Sequence, residues 1–266
     1  LHGPYRRIAQ EVNFPFFIAR RYLFAKKSHN VINVISAISV AGIMLASFAL
    51  ICTLSVFNGF HELVESLFRD FDPDLKVVPT GRKFFSIDDE RICRVRELDF
   101  IDISTFTLEE QALLSYKSKQ QIAMIKGVEE SYHDLVGIEN LLKGNGIYML
   151  EDDICHYGIM GVGLMNRMDC GVSPAYPLSL YVPKKEGRVS MTNPATSFNQ
   201  ASIYSPGVIF CVEQQKYDDN YVLFSMDLAQ ELTDRANEAS ALELKLKEGT
   251  SLRKARNELE SILGAD

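Results

Sequence analysis

The chain has 266 residues, with 28 Lys and Arg against 35 Asp and Glu, a formal net charge of −7, five cysteines and no tryptophan. That length accommodates a membrane segment plus one or two folded units, and five cysteines are too few for a disulfide scaffold. The charge is divided, +5 over residues 1–30 and −12 over the rest, which excludes nucleic acid as a partner of the acidic part.

In chain order, residues 1–12 carry no recognisable signal. Asn13 to Lys27, NFPFFIARRYLFAKK, interleaves Phe and Tyr with Arg20, Arg21, Lys26 and Lys27. Such a segment predicts an interfacial elbow, its rings at headgroup level and its long cations snorkelling toward water. Residues 1–30 therefore read as a cytoplasmic and interfacial elbow, with those four cations as the anchor.

Val31 to Phe57 carry no charge, and the uncharged run continues through Phe60. At about 1.5 Å per residue these positions make a helix of roughly 40 Å, against a hydrocarbon core of about 30 Å. A buried core helix is the alternative, but globular helices of this length normally show a polar face. A cleaved signal peptide would be shorter and earlier. Residues 31–60 are thus expected to span the membrane and extend outward. Positive charge before the span and acids after it place the N-terminus in the cytoplasm and residues 61–266 across the membrane. Ser39, Gly42, Ala46, Ala49 and Thr53 share one face of this helix, a candidate for packing against other membrane helices. Val40, Met44 and Phe48 lie opposite.

Beyond the span the periodicity predicts helix to about Phe71, ended by Pro73, and a strand at 74–79. A helix capped by Ser86 is expected to run to about Leu98. Strands follow at 101–105, 111–116 and 121–128, the last two a hairpin about Lys117–Lys119. From 131 to 219 the texture becomes β-rich, with a short helix at 154–168, strands at 178–182 and 201–212, and a polar loop at 184–200. Regular elements return with a strand at 221–224, a helix from Met226 to Asn237 capped by Ser225, a strand on which Leu242, Leu244 and Leu246 alternate with wet charged residues, and a last amphipathic helix capped by Thr250 or Ser251. The fold class expected is α+β, with 61–130 and 220–266 forming two halves of one subdomain and 131–219 a β-rich insertion. No Met precedes Met44 and the chain stops at Asp266 just after a helix, so a fragment of a longer membrane protein is expected.

Catalytic chemistry is not in view. There is no GxxxxGK[ST] loop, the five histidines are scattered, and Cys155, His156 and Cys170 lack metal spacing. Glu151–Asp152–Asp153 reads as a solvated turn rather than a Ca²⁺ loop, and Ser36 and Ser205 lack a G-x-S-x-G context. A Cys155–Cys170 disulfide stays open beside buried free thiols. No enzyme activity, metal or cofactor is expected.

ARRYLFAKKSHNVINVISAISVAGI (Ala19–Ile43) and LSVFNGFHELVESLF (Leu54–Phe68) resemble the elbow, span entry and span exit of the LolC/LolE family, lipoprotein-releasing ABC transporter permeases of the MacB/FtsX superfamily. IKGVEE (Ile125–Glu130), GIMGVGLMNRM (Gly158–Met168) and YDDNYVLFSMDLAQEL (Tyr217–Leu232) resemble later segments more loosely. The resemblance implies a bacterial inner-membrane permease whose periplasmic domain joins a MacB-like porter subdomain to an inserted β-rich one. It implies as partners membrane lipid, a cytoplasmic ABC ATPase, a second permease subunit, a lipoprotein substrate and a periplasmic lipoprotein carrier. By position, the carrier-recruiting loop would be 184–200, with Arg188, Met191 and Phe198 at its contact, although the same composition fits an ordinary solvated loop. Val40, Met44 and Phe48 would face the substrate's acyl chains. An FtsX-like regulator of cell-wall hydrolases, a MacB-like efflux permease and a single-pass sensor with an extracytoplasmic ligand-binding domain stay as alternatives, and LolC-like and LolE-like roles both stay open.

Overall fold

The computed structural model describes residues 14–23, 30–69, 71–172, 175–185 and 197–264. Contacts divide the chain into two units, Leu1–Leu63 and Val64–Asp266.

The first unit holds α1 (Phe14–Leu23) and most of α2 (Asn30–Arg69), a helix of 40 residues. Its segment Val31–His61 has a mean hydropathy of 2.4 with none of it buried. It is long and apolar enough to cross a membrane.

The second unit is α+β. Its elements are β1 (Leu75–Val77), β2 (Phe85–Ser86), α3 (Glu90–Arg96), β3 (Ile101–Tyr116), β4 (Lys119–Val128), α4 (Tyr132–Val136), a 3-10 turn (Ile138–Leu141), β5 (Leu142–Gly144), β6 (Ile159–Met160), α5 (Val162–Met168), β7 (Leu178–Pro183), β8 (Phe198–Ile203), β9 (Val208–Phe210), α6 (Gln215–Asp218), β10 (Tyr221–Ser225), α7 (Met226–Thr233), β11 (Glu238–Ala239), β12 (Ala241–Leu246) and α8 (Leu252–Leu263). The main sheet runs β1-β12-β3-β4-β10-β6, while β7 pairs with the far half of β3 and β8 pairs with β7. The 16-residue β3 is the hub: Ile101–Thr107 pair with β12, Thr107–Tyr116 with β4, and Leu113–Ser115 with β7. Strands from both ends of the chain meet there, because β1 pairs antiparallel with β12 and β10 parallel with β4.

Each face of the sheet has its own core. One carries Phe106, Leu108, Ile125, Val222, Phe224, Leu242 and Leu244 beneath α3, α7 and α8. The other carries Val128, Leu223 and Tyr221 beneath Phe71, Tyr132, Phe210 and Tyr217. Central β10 is buried on both faces, as a strand covered on both sides should be, and so its sequence YVLFS shows no alternation.

Several local expectations are corrected. Ser86 does not cap α3: it lies in β2, paired with Glu238 of β11, and the cap is Asp89, whose carboxylate accepts from Arg91 N at 2.9 Å. The strands expected at 101–105 and 111–116 are one continuous β3. Of the helix expected at 154–168 only Val162–Met168 forms; Gly161 sits at its start, where a Cβ would strike the Asp218 carbonyl oxygen, so that glycine serves close approach. The strand expected at 201–212 breaks into β8 and β9 around Pro206 and Gly207, the latter at φ +88°. The helix after Ser225 stops at Thr233, with Asp234 in the left-handed conformation. Glu243, expected to be wet, is wholly buried. Among the described residues all five cysteines are free thiols.

Candidate functional site

The residues that follow α2 in the chain are held in the second core. Phe71 is 1% exposed; its ring centroid lies 4.7 Å from Tyr217, 5.4 Å from Phe210 and, edge-on, 6.4 Å from Tyr132. Aromatic groups so arranged contribute beyond their buried area. The Tyr217 hydroxyl donates to the Asp72 carboxylate, and Asp74 Oδ2 accepts from the backbone N of Leu246 in β12 at 2.8 Å. Burial first, and the bond to Asp72 next, push the Tyr217 phenol above its ordinary value, so it stays a donor.

Beneath Phe71 lies a ring of four charges written by strand register. Lys76 stands opposite Glu243 across β1 and β12, and Glu109 opposite Lys126 across β3 and β4. Ion-pair distances are 3.3 Å for Lys76–Glu243, 2.8 Å for Lys126–Glu243, 2.8 Å for Lys76–Glu109 and 4.0 Å for Lys126–Glu109. Two cations thus balance two anions. Thr107 Oγ1 donates to Glu243 at 3.2 Å, the Tyr221 hydroxyl donates to Glu109 at 3.2 Å, and Lys126 Nζ donates to the Tyr132 hydroxyl at 3.1 Å. The same ammonium lies 5.5 Å from the Phe71 ring and 4.7 Å from the Tyr132 ring, within cation–π reach. A buried charge is tolerated only when paired and hydrogen-bonded, and this ring meets both conditions.

Burial opposes ionisation of Glu109, yet Lys126 and Lys76, with the hydrogen bonds from Lys76 and Tyr221, outweigh it and hold its carboxyl below the usual glutamate range. A depressed folded pKa gives stability that is fully present above the unfolded-state value and lost as pH falls through the folded one. Acid titration of the purified chain, followed by tyrosine fluorescence, should therefore show stability declining below about pH 4.5, the ordinary glutamate value. Glu109→Gln should flatten that decline. An unchanged acid limb in the variant would assign it to other carboxylates.

The expected site residues are placed as follows. Arg20 and Arg21 lie exposed in the last turn of α1, where the helix dipole favours cations; Lys26 and Lys27 lie outside the described residues. On α2, Ser39 Oγ donates to Ile35 O at 3.0 Å and Thr53 Oγ1 to Ala49 O at 2.8 Å. These hydroxyls bond back to their own helix. A Cβ at Gly42 would meet nothing within 4 Å, and Ala46 and Ala49 on the same face are exposed. Val40, Met44 and Phe48, on the other face, are also exposed. Arg188 and Met191 lie outside the described residues. Phe198 opens β8 opposite Pro183 and is half-buried. Its neighbour Asn199 donates to Leu232 O at 3.0 Å, and Lys185 pairs with Glu238 at 3.1 Å, so the base of the loop is fastened to α7 and β11. Asp152 accepts from Ile154 N, Cys155 N and the Tyr157 hydroxyl, which makes the acidic triplet a turn. Among the described residues no cluster of metal-binding groups forms.

No family model matches the chain. The lipoprotein-releasing system transmembrane protein LolE of Haemophilus influenzae is 26% identical over 254 residues, 91% of this chain and 57% of that protein. The resemblance is to LolE over nearly the whole chain. The chain spans 57% of the length of the curated relative it matches. Among solved structures, the periplasmic region of MacB from Actinobacillus actinomycetemcomitans gives a TM-score of 0.48 at 14% identity, covering 69% of this chain and 74% of that one. The extracellular domain of the ABC-type transporter YknZ from Gram-positive bacteria gives 0.46 at 11%, covering 70% and 88%. The LolE-like match runs through both the apolar helix and the α+β unit. Sequence reasoning missed Phe71 and the charge ring; the one available signal was a lone Lys126 inside the otherwise apolar strand IAMIKGV.

Proposed function

We propose that the LolE-like chain is part of a permease subunit of an ABC transporter that releases lipoproteins from the bacterial inner membrane to a periplasmic carrier. The observation that carries this is the likeness to LolE over 91% of the chain, joined to an exposed apolar helix followed directly by a folded α+β unit. A cytoplasmic ATPase supplies the energy and a second permease subunit completes the membrane part. Residues 31–60 cross the bilayer, residues 1–30 face the cytoplasm, and residues 61–266 face the periplasm. Ser39, Gly42, Ala46, Ala49 and Thr53 pack against other membrane helices; Val40, Met44 and Phe48 border the acyl chains of the substrate. The segment 131–219 acts as the β-rich insert, and Arg188, Met191 and Phe198 of its loop meet the carrier. The seating of Phe71, Asp72 and Asp74 within the α+β unit supports a coupling role for this segment.

Photocrosslinkers placed singly at Val40, Met44 and Phe48 in membranes containing acylated lipoprotein test this reading. Lipoprotein adducts at these positions, and few from Ser39 or Gly42, are the expected result. Adducts to phospholipid alone at all of them would overturn lipoprotein release, and reporter fusions placing the α+β unit in the cytoplasm would overturn the topology.

A further inference from the structure

The unit 64–266 contains a cleft of about 1110 Å³ whose chemistry the charge ring and the apolar helix do not use. It is walled by the end of β4, α4, the 144–151 loop and the first turns of α7. Among the described residues five carboxylates line it, Glu129, Glu130, Glu139, Glu151 and Asp227, and no lysine or arginine does. Glu129 is engaged by Phe106 N at 2.8 Å, and Glu151 lies 3.8 Å from His156. Glu130, Glu139 and Asp227 are exposed and have no ion pair among the described residues. The one basic ring in the wall, His133, already faces Asp134 at 3.1 Å and stacks on Tyr148. Among the described residues the cleft is therefore an anionic surface whose charge is largely unpaired.

A second observation is independent of that charge. Ser225 is 6% exposed, lines the cleft and occupies the cap position of α7, yet its hydroxyl bonds neither to the helix nor to any other described group. The Tyr148 hydroxyl in the same wall is likewise buried without a partner. Burial, and then the charge of Glu130, push that phenol upward, so it is held as a donor. Buried polar groups are normally satisfied, and an orphan lining a cleft points to a ligand atom that completes it. Two orphan donors ask for acceptors, three free carboxylates ask for cations, and Ile87, Ile147 and Met149 supply apolar wall between them. A peptide carries all three groups at once: backbone carbonyls, basic side chains and apolar neighbours.

We infer that this cleft docks a basic, apolar-flanked peptide segment of a protein partner, its lysines or arginines against Glu130, Glu139 and Asp227 and its carbonyls on Tyr148 and Ser225. This does not rest on the transport reading. The test uses the 266-residue chain in phosphatidylcholine nanodiscs and a fluorescein-labelled octapeptide of alternating lysine and valine, with binding read by anisotropy. Saturable binding is expected, absent for the octapeptide of alternating glutamate and valine. The variant E130Q/E139Q/D227N should bind at least tenfold more weakly, and S225A/Y148F at least threefold more weakly. The variant E90Q/D102N/E258Q, altered at exposed acids away from the cleft, should match the parent. No saturable binding, equal binding by E130Q/E139Q/D227N, or equal loss in the distant triple variant would each overturn the proposal. So would spermidine binding that is lost in the cleft variant while the lysine peptide fails to bind, because the ligand would then be a small polyamine.

Discussion

Lys126→Met is expected to destabilise the α+β unit by about 3–5 kcal/mol, the cost of breaking a buried ion pair by removing one partner. Lys126 is 3% exposed and its ammonium lies 2.8 Å from Glu243, which is fully buried. Methionine keeps much of the side-chain volume, so the loss is electrostatic rather than a cavity effect. Lys76, 3.3 Å from Glu243, offsets the loss only in part, since it is shared with Glu109 and its side chain is 37% exposed. The double variant K126M/E243L removes both charges of the pair and should return to within about 1 kcal/mol of the parent. Guanidinium unfolding followed by tyrosine fluorescence measures both. A single variant within about 1 kcal/mol of the parent would show that water or relaxation screens the site. A double variant no better than the single would show that the ring acts through its hydrogen bonds to Thr107, Tyr132 and Tyr221.

The second large effect belongs to Phe71. Phe71→Ala should cost about 3–5 kcal/mol, the usual range for deleting a buried aromatic ring, because three aromatic partners and the Lys126 ammonium lose their common contact. The loss is expected to be local first. Amide exchange should rise in β9 and α6, which carry Phe210 and Tyr217, and at Leu246, whose N–H is held by Asp74. Phe71→Leu should keep most of the protection. In the assembled transporter of the proposed function, Phe71→Ala should leave ATP hydrolysis running while lipoprotein release falls, since the coupling segment would lose its seat in the α+β unit. If hydrolysis and release fell together, Phe71 would be structural only.

Much of the architecture was legible along the chain. The run Val31–Phe57 needs no tertiary context, because the absence of charge over so many residues is a local property that only a long apolar helix satisfies. The hairpin of β3 and β4, strand β10 and the final helix were likewise readable, their periods being set by residues close in sequence. The errors came where contacts distant in sequence overrode local signals. Ser86 looked like a cap until β11 claimed it as a strand partner, and Gly161 in a helical window proved to serve backbone approach to Asp218.

Glu243 shows the limit most clearly. In ALELKL it alternates with leucines as a solvent-facing residue should. What buries it is a covering layer that includes Phe71 and Tyr132, far off in the chain, over the Lys126 ammonium of β4. The sequence by itself determined that an apolar helix precedes an acidic α+β unit, because hydrophobicity and charge balance are sums over neighbours. Only the tertiary structure decided which charges are buried, which hydroxyls are left without partners and where the chain after the helix is held. Those outcomes depend on strand register and on which surfaces meet, and neither is written in any one stretch of residues.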